Sequence, residues 1–338
     1  MRLRDLPGHW ARRALAMARF CADGLGADLR RSKLIVAYST GLDSTVLLHL
    51  LHALSPTLDL TLIAAHAHHG LRPESDQEAT LAHAVCAGLG LPLETCRLDV
   101  TAQCQARGTG LEETARDLRY AFLESVRHTH RADWIVTAHH GDDLAEDIVM
   151  RLIRGAGWPG LGGMAGIDPR RRLLRPLLDW KKTELRALAR DTGLSWCEDA
   201  SNMEPDRTRN RVRNQILPLI LAENPSFSAA CGHLWRLARV DADFWQGHLP
   251  AIPDPVDTFL LERSVLDPAH EALRLRLYKH VLDRLGPGQG LAGQLLLLDK
   301  AWHAKATNRC IQFPGDKTAT VRRDGILFAH QIRPARRP

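Results

Sequence analysis

The sequence predicts an α/β protein: a parallel sheet with helices on both faces, followed by a smaller, mainly helical domain with a terminal β-hairpin. Three observations predict it. Strand-like apolar runs alternate with longer helical patterns over the first two thirds of the 338 residues. Near Asn224–Pro225 this gives way to consecutive helical segments. Close to the end, Asp324–Gly325 sits between alternating runs, a hairpin signal. The expected domains are 1–224 and 225–338.

In chain order, "MRLRDLPGHWARRALAMARF" reads as an amphipathic first helix, without the apolar core and cleavage site of a signal peptide. "KLIVAYS" (33–39), "LTLIAAHA" (60–67), "PLETCRLDV" (92–100) and "DWIVTAHH" (133–140) read as strands. Helical patterns at 42–54, 75–88, 112–128 and 142–154 separate or follow them. The glycine-dense "GAGWPGLGGMAG" (155–166) reads as a surface loop. "RRRLLRPLLDW" gives a short strand and 181–191 a helix. Further helices are expected at 228–247, 270–285 and 289–301.

Composition narrows the class. Hydrophobic residues make up 45% and charged residues 25%, as in ordinary globular proteins. No apolar stretch reaches the roughly 20 residues of a membrane span, so no membrane partner and a cytoplasmic location are expected. Seven cysteines with no C-x-x-C pair argue against a disulfide framework, a zinc ribbon and an iron–sulfur cluster; no zinc is expected. The net charge of +6 suits a polyanionic partner.

Parallel sheets bind ligands at the carboxyl ends of their strands, and three strands end in suggestive residues. After the first come Ser39, Thr40, Gly41, Leu42, Asp43 and Ser44. Backbone amides of such a turn, with the following helix dipole, can hold phosphate oxygens. No lysine follows the glycine, which excludes a Walker-type loop. Asp43 would repel phosphate unless it holds Mg²⁺ or positions the loop. His66, His68 and His69 end the second strand, with Arg72 available for phosphate. The fourth ends in "TAHHGDDLAED". There Asp143 and Glu146 share a helix face and need a cationic ligand, either Mg²⁺ or a substrate amine, while Asp142 could simply cap the helix. Glu112, Arg116 and Arg119 lie at helical spacing. Arg207, Arg209, Arg211 and Arg213 alternate. All four share a face on a strand, and they make two stripes on a helix. Either suits the phosphates of a nucleic acid or of ATP.

Together these segments resemble a known family. "YSTGLDS" is similar to the Ser-Gly-Gly-x-Asp-Ser loop of ATP pyrophosphatases, which cleave ATP between its α and β phosphates. "HHGLRPESDQEA", "EETARDLRY", "TAHHGDDLAEDIVMRLIRGAGWPGLGGM", "RPLL" and "DASN…RNRVRNQILPLI" follow in the order seen in tRNA(Ile)-lysidine synthetases. The resemblance implies an AMP-forming ligase that joins lysine to C2 of the wobble cytidine of tRNA(Ile) with a CAU anticodon. ATP with Mg²⁺, free lysine and that tRNA are the implied ligands, with self-association as a homodimer left open. It implies that Ser39–Ser44 hold the phosphates with Asp43 near Mg²⁺, and that Arg119 lies near ATP. Catalysis falls to Asp43, His139, Asp143 and Glu146, lysine binding to Asp143 and Glu146, and tRNA binding to Arg72, Arg207, Arg209, Arg211 and Arg213. His139 is the candidate acceptor of the lysine proton. One departure stands out: Thr40 replaces the first motif glycine, although a β-branched residue disfavours φ > 0. The rivals are a tRNA thiolating enzyme on the same fold, a non-catalytic tRNA-binding paralogue and a zinc hydrolase using the histidines.

Overall fold

The computed structural model describes residues 2–68, 74–108, 110–198, 208–250, 252, 257–286, 288 and 290–330, with the side chains of 74–76, 107 and 112 left aside. It has two compact units, Met1–Ala145 with Met164–Gly232, and Glu146–Gly163 with His233–Pro338.

The first unit opens with α1 (Gly8–Arg19), which buries Trp10, Ala14 and Met17 at the spacing of one helix face. Strand and helix then alternate: β1 (Lys33–Ala37), α2 (Leu42–Leu58), β2 (Thr61–His68), α3 (Glu74–Leu89), β3 (Leu93–Arg97), α4 (Val100–Arg107), α5 (Leu111–His130), β4 (Trp134–Val136) and α6 (Gly141–Ile153). Two short strands follow, β5 (Ile167–Asp168) and β6 (Leu173–Leu174), then α7 (Lys182–Asp191), α8 (Thr208–Arg211), a wide π-turn (Val212–Ile216) and α9 (Leu217–Glu223). Leu34, Ile35, Val36, Ile135 and Val136 are fully buried. Such continuous apolar strands are what a sheet covered on both faces demands.

Among the described residues the sheet order is β3-β2-β1-β4-β6-β5. All neighbours run parallel except β5, which pairs antiparallel with β6. The chain therefore steps outward from β1 through β2 to β3, then returns to set β4 on the other side of β1. That reversal opens a crevice at the carboxyl ends of β1 and β4. The expected parallel sheet is present, with two differences. The two-residue β5 is too short to leave a pattern. The run 92–100 is strand only to Arg97, because the Asp99 carboxylate accepts from the Ala102 amide (3.0 Å) and starts α4.

In the second unit, α10 (Phe227–His248), which begins in the first, is followed by β7 (Thr258–Glu262), α11 (Arg263–Leu266), α12 (Glu271–Arg284) and α13 (Ala292–His303). β8 (Cys310–Phe313), β9 (Lys317–Val321) and β10 (Gly325–His330) complete an antiparallel sheet ordered β7-β10-β9-β8. The expected hairpin is β9–β10, and β7 and β8 extend it. Leu277, Tyr278, Val281 and Leu282 of α12 share one core with Ala319, Val321, Ile326 and Phe328. No helix among the described residues is long and apolar enough to cross a membrane.

Lys317 is fully buried in this core. Its ammonium donates to the carbonyls of Leu282 (2.9 Å), Gly286 (3.2 Å) and Gly288 (2.6 Å). It thus closes the carboxyl end of α12, where orphan carbonyls and the helix dipole favour a cation. Lys317→Met strands these acceptors and is expected to cost about 3 kcal/mol. Calorimetry should show a lowered transition for the second unit, and an unchanged melt would contradict this staple.

Candidate active site at the switch point of the sheet

The loop after β1 turns sharply within three residues. Thr40 carries the left-handed conformation, with φ +62°, while Gly41 is extended at φ −69°. Thr40 is fully buried, and its hydroxyl donates to the Ser39 carbonyl (2.6 Å). Its own carbonyl accepts from the Cys197 amide (2.9 Å) and the Thr45 hydroxyl (3.3 Å). Surrounding contacts thus hold a β-branched residue where the related motif has glycine, at a strain of about 1–3 kcal/mol. The Ser44 hydroxyl accepts from the Ser39 amide (3.1 Å) and donates to the Gly41 carbonyl (3.0 Å). No side chain caps α2. The first-turn amides of Leu42, Asp43 and Ser44 lack intrahelical partners and face an anion favourably.

Asp43 lies in that first turn. Both its oxygens accept from the Lys182 ammonium, at 2.6 and 2.7 Å. His140 Nε2 lies 3.6 Å from Asp43 Oδ2 and 3.4 Å from Asp143 Oδ2, so this ring bridges the loop after β1 and the end of β4. The Asp142 amide donates to His140 Nδ1 (3.3 Å), which puts a neutral ring's proton on Nε2, between the two carboxylates. Burial pulls the imidazole's pKa down, but contact with Asp43 and the charge of Asp143 outweigh it, and the pKa rises above the ordinary value. Burial raises the Asp43 carboxyl, yet His140 and Lys182 bring it below its ordinary value.

Asp143 closes the amino end of α6 by accepting from the His140 amide (3.1 Å), one half of a capping box. Its other oxygen accepts from Arg209 (2.8 Å) and Arg213 (3.1 Å). Burial would raise the Asp143 carboxyl, but His140 first and then Arg209 hold it far below the usual carboxylate range. Asp142 does not cap its own helix. Its carboxylate accepts from the Lys182 amide (2.7 Å) and the Ser228 hydroxyl (3.3 Å), tying α6 to the start of α7. Glycine suits position 141, since a Cβ would crowd the Trp180 carbonyl at 3.0 Å.

A basic wall adjoins His139. Burial first, then Arg175, Arg209 and Arg119, push its imidazole far below the ordinary value, so it is neutral. Its Nδ1 pairs with the Thr137 hydroxyl (3.0 Å). The guanidiniums of Arg116, Arg119 and Arg171 lie 5.4, 5.5 and 4.9 Å from the Tyr120 ring. Burial would raise the Tyr120 phenol, but Arg175, Arg119 and Arg116 lower it.

The structure thus gathers Ser39–Ser44, His139, Asp143, Arg119, Arg209 and Arg213 within the first unit. From Thr208 onward the arginine run is helical, and Arg209 and Arg213 form the stripe that meets Asp143. Arg211 instead donates to the Thr208 hydroxyl (3.0 Å). Glu146 is buried one turn beyond Asp143 on α6. Arg72, His69 and Arg207 lie outside the described residues. Sequence reasoning missed Lys182, Arg175 and the bridging role of His140. The lysine pair of "DWKKTEL" at a helix start was the available signal for Lys182.

Two tests follow from this geometry. Val at position 40 keeps the β-branched strain without the hydroxyl bond, whereas Gly relieves it. Thr40→Val is therefore expected to destabilise by about 1–2 kcal/mol more than Thr40→Gly. The opposite order in urea denaturation would contradict the strain argument. For pH, linkage sets the sign. The His140 pKa is raised in the fold, so its stabilisation is complete below the ordinary 6.5 and is lost as pH rises through the folded value. Melting temperature should decline from about pH 7 upward, and His140→Gln should flatten that limb. A limb of unchanged slope in the variant would assign it elsewhere.

Comparison with known proteins adds a second line of observation. Residues 14–220 match the family described as the PP-loop domain. A tRNA(Ile)-lysidine synthase of Nitratidesulfovibrio vulgaris is 44% identical over 330 residues, covering 91% of this chain and 95% of that protein. One from Azoarcus sp. is 41% identical over 216 residues, covering 63% of this chain and 47% of that protein. The chain thus spans nearly all of the first relative and about half the length of the second. Among solved structures, the U34-tRNA thiolase NcsA from Methanococcus maripaludis with its 4Fe-4S cluster superposes with a TM-score of 0.55 at 18% identity. That superposition covers 66% of this chain and 78% of the thiolase, a likeness of fold alone.

Proposed function

The chain belongs to the PP-loop domain family and, within it, to the tRNA(Ile)-lysidine synthases, and from that premise we propose how its residues divide the work. It is an ATP-dependent ligase that forms lysidine on tRNA(Ile). In our reading the substrates are free lysine, ATP with Mg²⁺, and the tRNA with a CAU anticodon. The O2 oxygen of the wobble cytidine attacks the α-phosphorus of ATP. The bond to the bridging oxygen breaks and pyrophosphate leaves with the electron pair. The lysine ε-amine then attacks C2, the C2–O bond breaks, and AMP leaves. The ammonium releases one proton to solvent before attack, and the C2-bound nitrogen releases a second to solvent as AMP leaves.

The observation that carries this reading is the juxtaposition, at the carboxyl ends of β1 and β4, of an uncapped helix start with Asp43, His140 and Asp143. We assign the amides of Ser39–Ser44 to the phosphates and Arg119 to ATP. Among the described residues no set of three acidic, histidine or cysteine side chains is arranged to hold a metal by itself. Mg²⁺ is usually held by one or two carboxylates plus phosphates, and Asp43 fits that requirement. When bound, the ion offsets charge on the departing pyrophosphate. Glu146 and Asp143 receive the lysine ammonium, with Asp143 also anchoring Arg209 and Arg213 near the tRNA backbone. We also assign Arg72, Arg207 and Arg211 to tRNA binding, and residues 225–338 to tRNA recognition. His139, held neutral, is a weak proton acceptor and serves better as a polar contact to the cytidine.

The test incubates the protein with ATP, Mg²⁺, labelled lysine and either tRNA(Ile) or the elongator methionine tRNA. Label should enter only the isoleucine tRNA, with AMP and pyrophosphate released, and label in neither would overturn the reading. Asp43→Ala should lower pyrophosphate release by about 100-fold or more. Glu146→Ala should raise the KM for lysine by about tenfold or more while sparing tRNA affinity. An unchanged KM would reject that assignment.

A further inference from the structure

The loop 39–44 has no lysine of its own, yet a lysine stands at its mouth. Lys182 comes from 139 residues further along the chain and sets its ammonium on both oxygens of Asp43. Its other end is fixed as well. The Lys182 amide donates to Asp142 at 2.7 Å, which places the residue at the first position of α7. The pair is reachable from solvent, with side-chain exposures of 37% for Lys182 and 28% for Asp43.

Asp43 poses an electrostatic difficulty that this pair resolves. A bare carboxylate in the first turn of α2 would repel the phosphates that the neighbouring amides attract. Lys182 cancels that charge, and His140, 3.6 Å away, adds a second partner. With His140 able to stay on Asp43, the flexible ammonium can turn to a phosphate oxygen without leaving the carboxylate unpaired. An ammonium also suits a multiply charged leaving group, because three rotatable donors can follow it as it departs.

We propose that Lys182 is the phosphate-binding lysine of this site, supplied from outside the loop by the start of α7, and that it holds the β- and γ-phosphates that leave as pyrophosphate. This rests on the reading of the loop as the ATP site.

The test is equilibrium binding by calorimetry to intact wild-type, Lys182→Met and Lys182→Arg proteins, with Mg·ATP, inorganic pyrophosphate and AMP as probes. Lys182→Met should weaken Mg·ATP and pyrophosphate at least tenfold and change AMP less than twofold. Lys182→Arg should retain Mg·ATP within about threefold, since either cation meets a phosphate. Equal affinities in wild type and Lys182→Met, or an equal loss for AMP and ATP, would overturn the proposal. So would a lowered melting temperature with affinity intact, which marks a purely structural ion pair. Failure of the wild type to bind either ATP or pyrophosphate would remove the underlying ATP reading as well.

Discussion

The Asp43 carboxylate is the contact on which the rest of the site depends. It joins three segments that are far apart in sequence: the loop after β1, the end of β4 through His140, and the start of α7 through Lys182. Contacts of this kind gain strength where their members are partly desolvated. The fold provides that by seating them beside fully buried strands. Asp143 repeats the motif one step away, with His140, Arg209 and Arg213. Carboxylates and cations thus alternate across the crevice, and each charge is compensated before any ligand arrives.

This arrangement explains why the loop differs from one that transfers a terminal phosphate. A Walker loop carries its lysine in the loop itself. Here the loop carries an aspartate that would oppose phosphate, and its neutralising cation comes from the start of α7. The loop can then be short. Thr40 absorbs the turn in the left-handed region, and the Cys197 amide clamps its carbonyl.

Much of this was legible in the sequence wherever chemistry and local pattern coincide. Ser39–Ser44 and His139–Asp143 each follow an apolar strand and open a helix, so their position at one sheet edge could be read. The departure at Thr40 was legible too, since the related motif has glycine where the structure has φ +62°. Local pattern could not show that Asp142 caps α7 instead of α6, or that Lys182 meets Asp43, because both are tertiary contacts. The two-residue β5 was missed because it is too short to carry a pattern, and β7 because "TFLLE" does not alternate. The cap at Asp99 was available in the sequence but was masked by the β-like run "LETCRLDV".

The most direct test of the account follows one oxygen atom. In our reading the cytidine O2 becomes a leaving group by joining the α-phosphate, so that oxygen must depart with AMP. A tRNA(Ile) substrate carrying oxygen-18 at O2 of the wobble cytidine can be converted with unlabelled ATP in unlabelled water, and the products read by mass spectrometry. The account predicts one heavy oxygen in AMP and none in pyrophosphate or the modified tRNA. Heavy oxygen in pyrophosphate, or unlabelled AMP formed alongside lysidine, would contradict it.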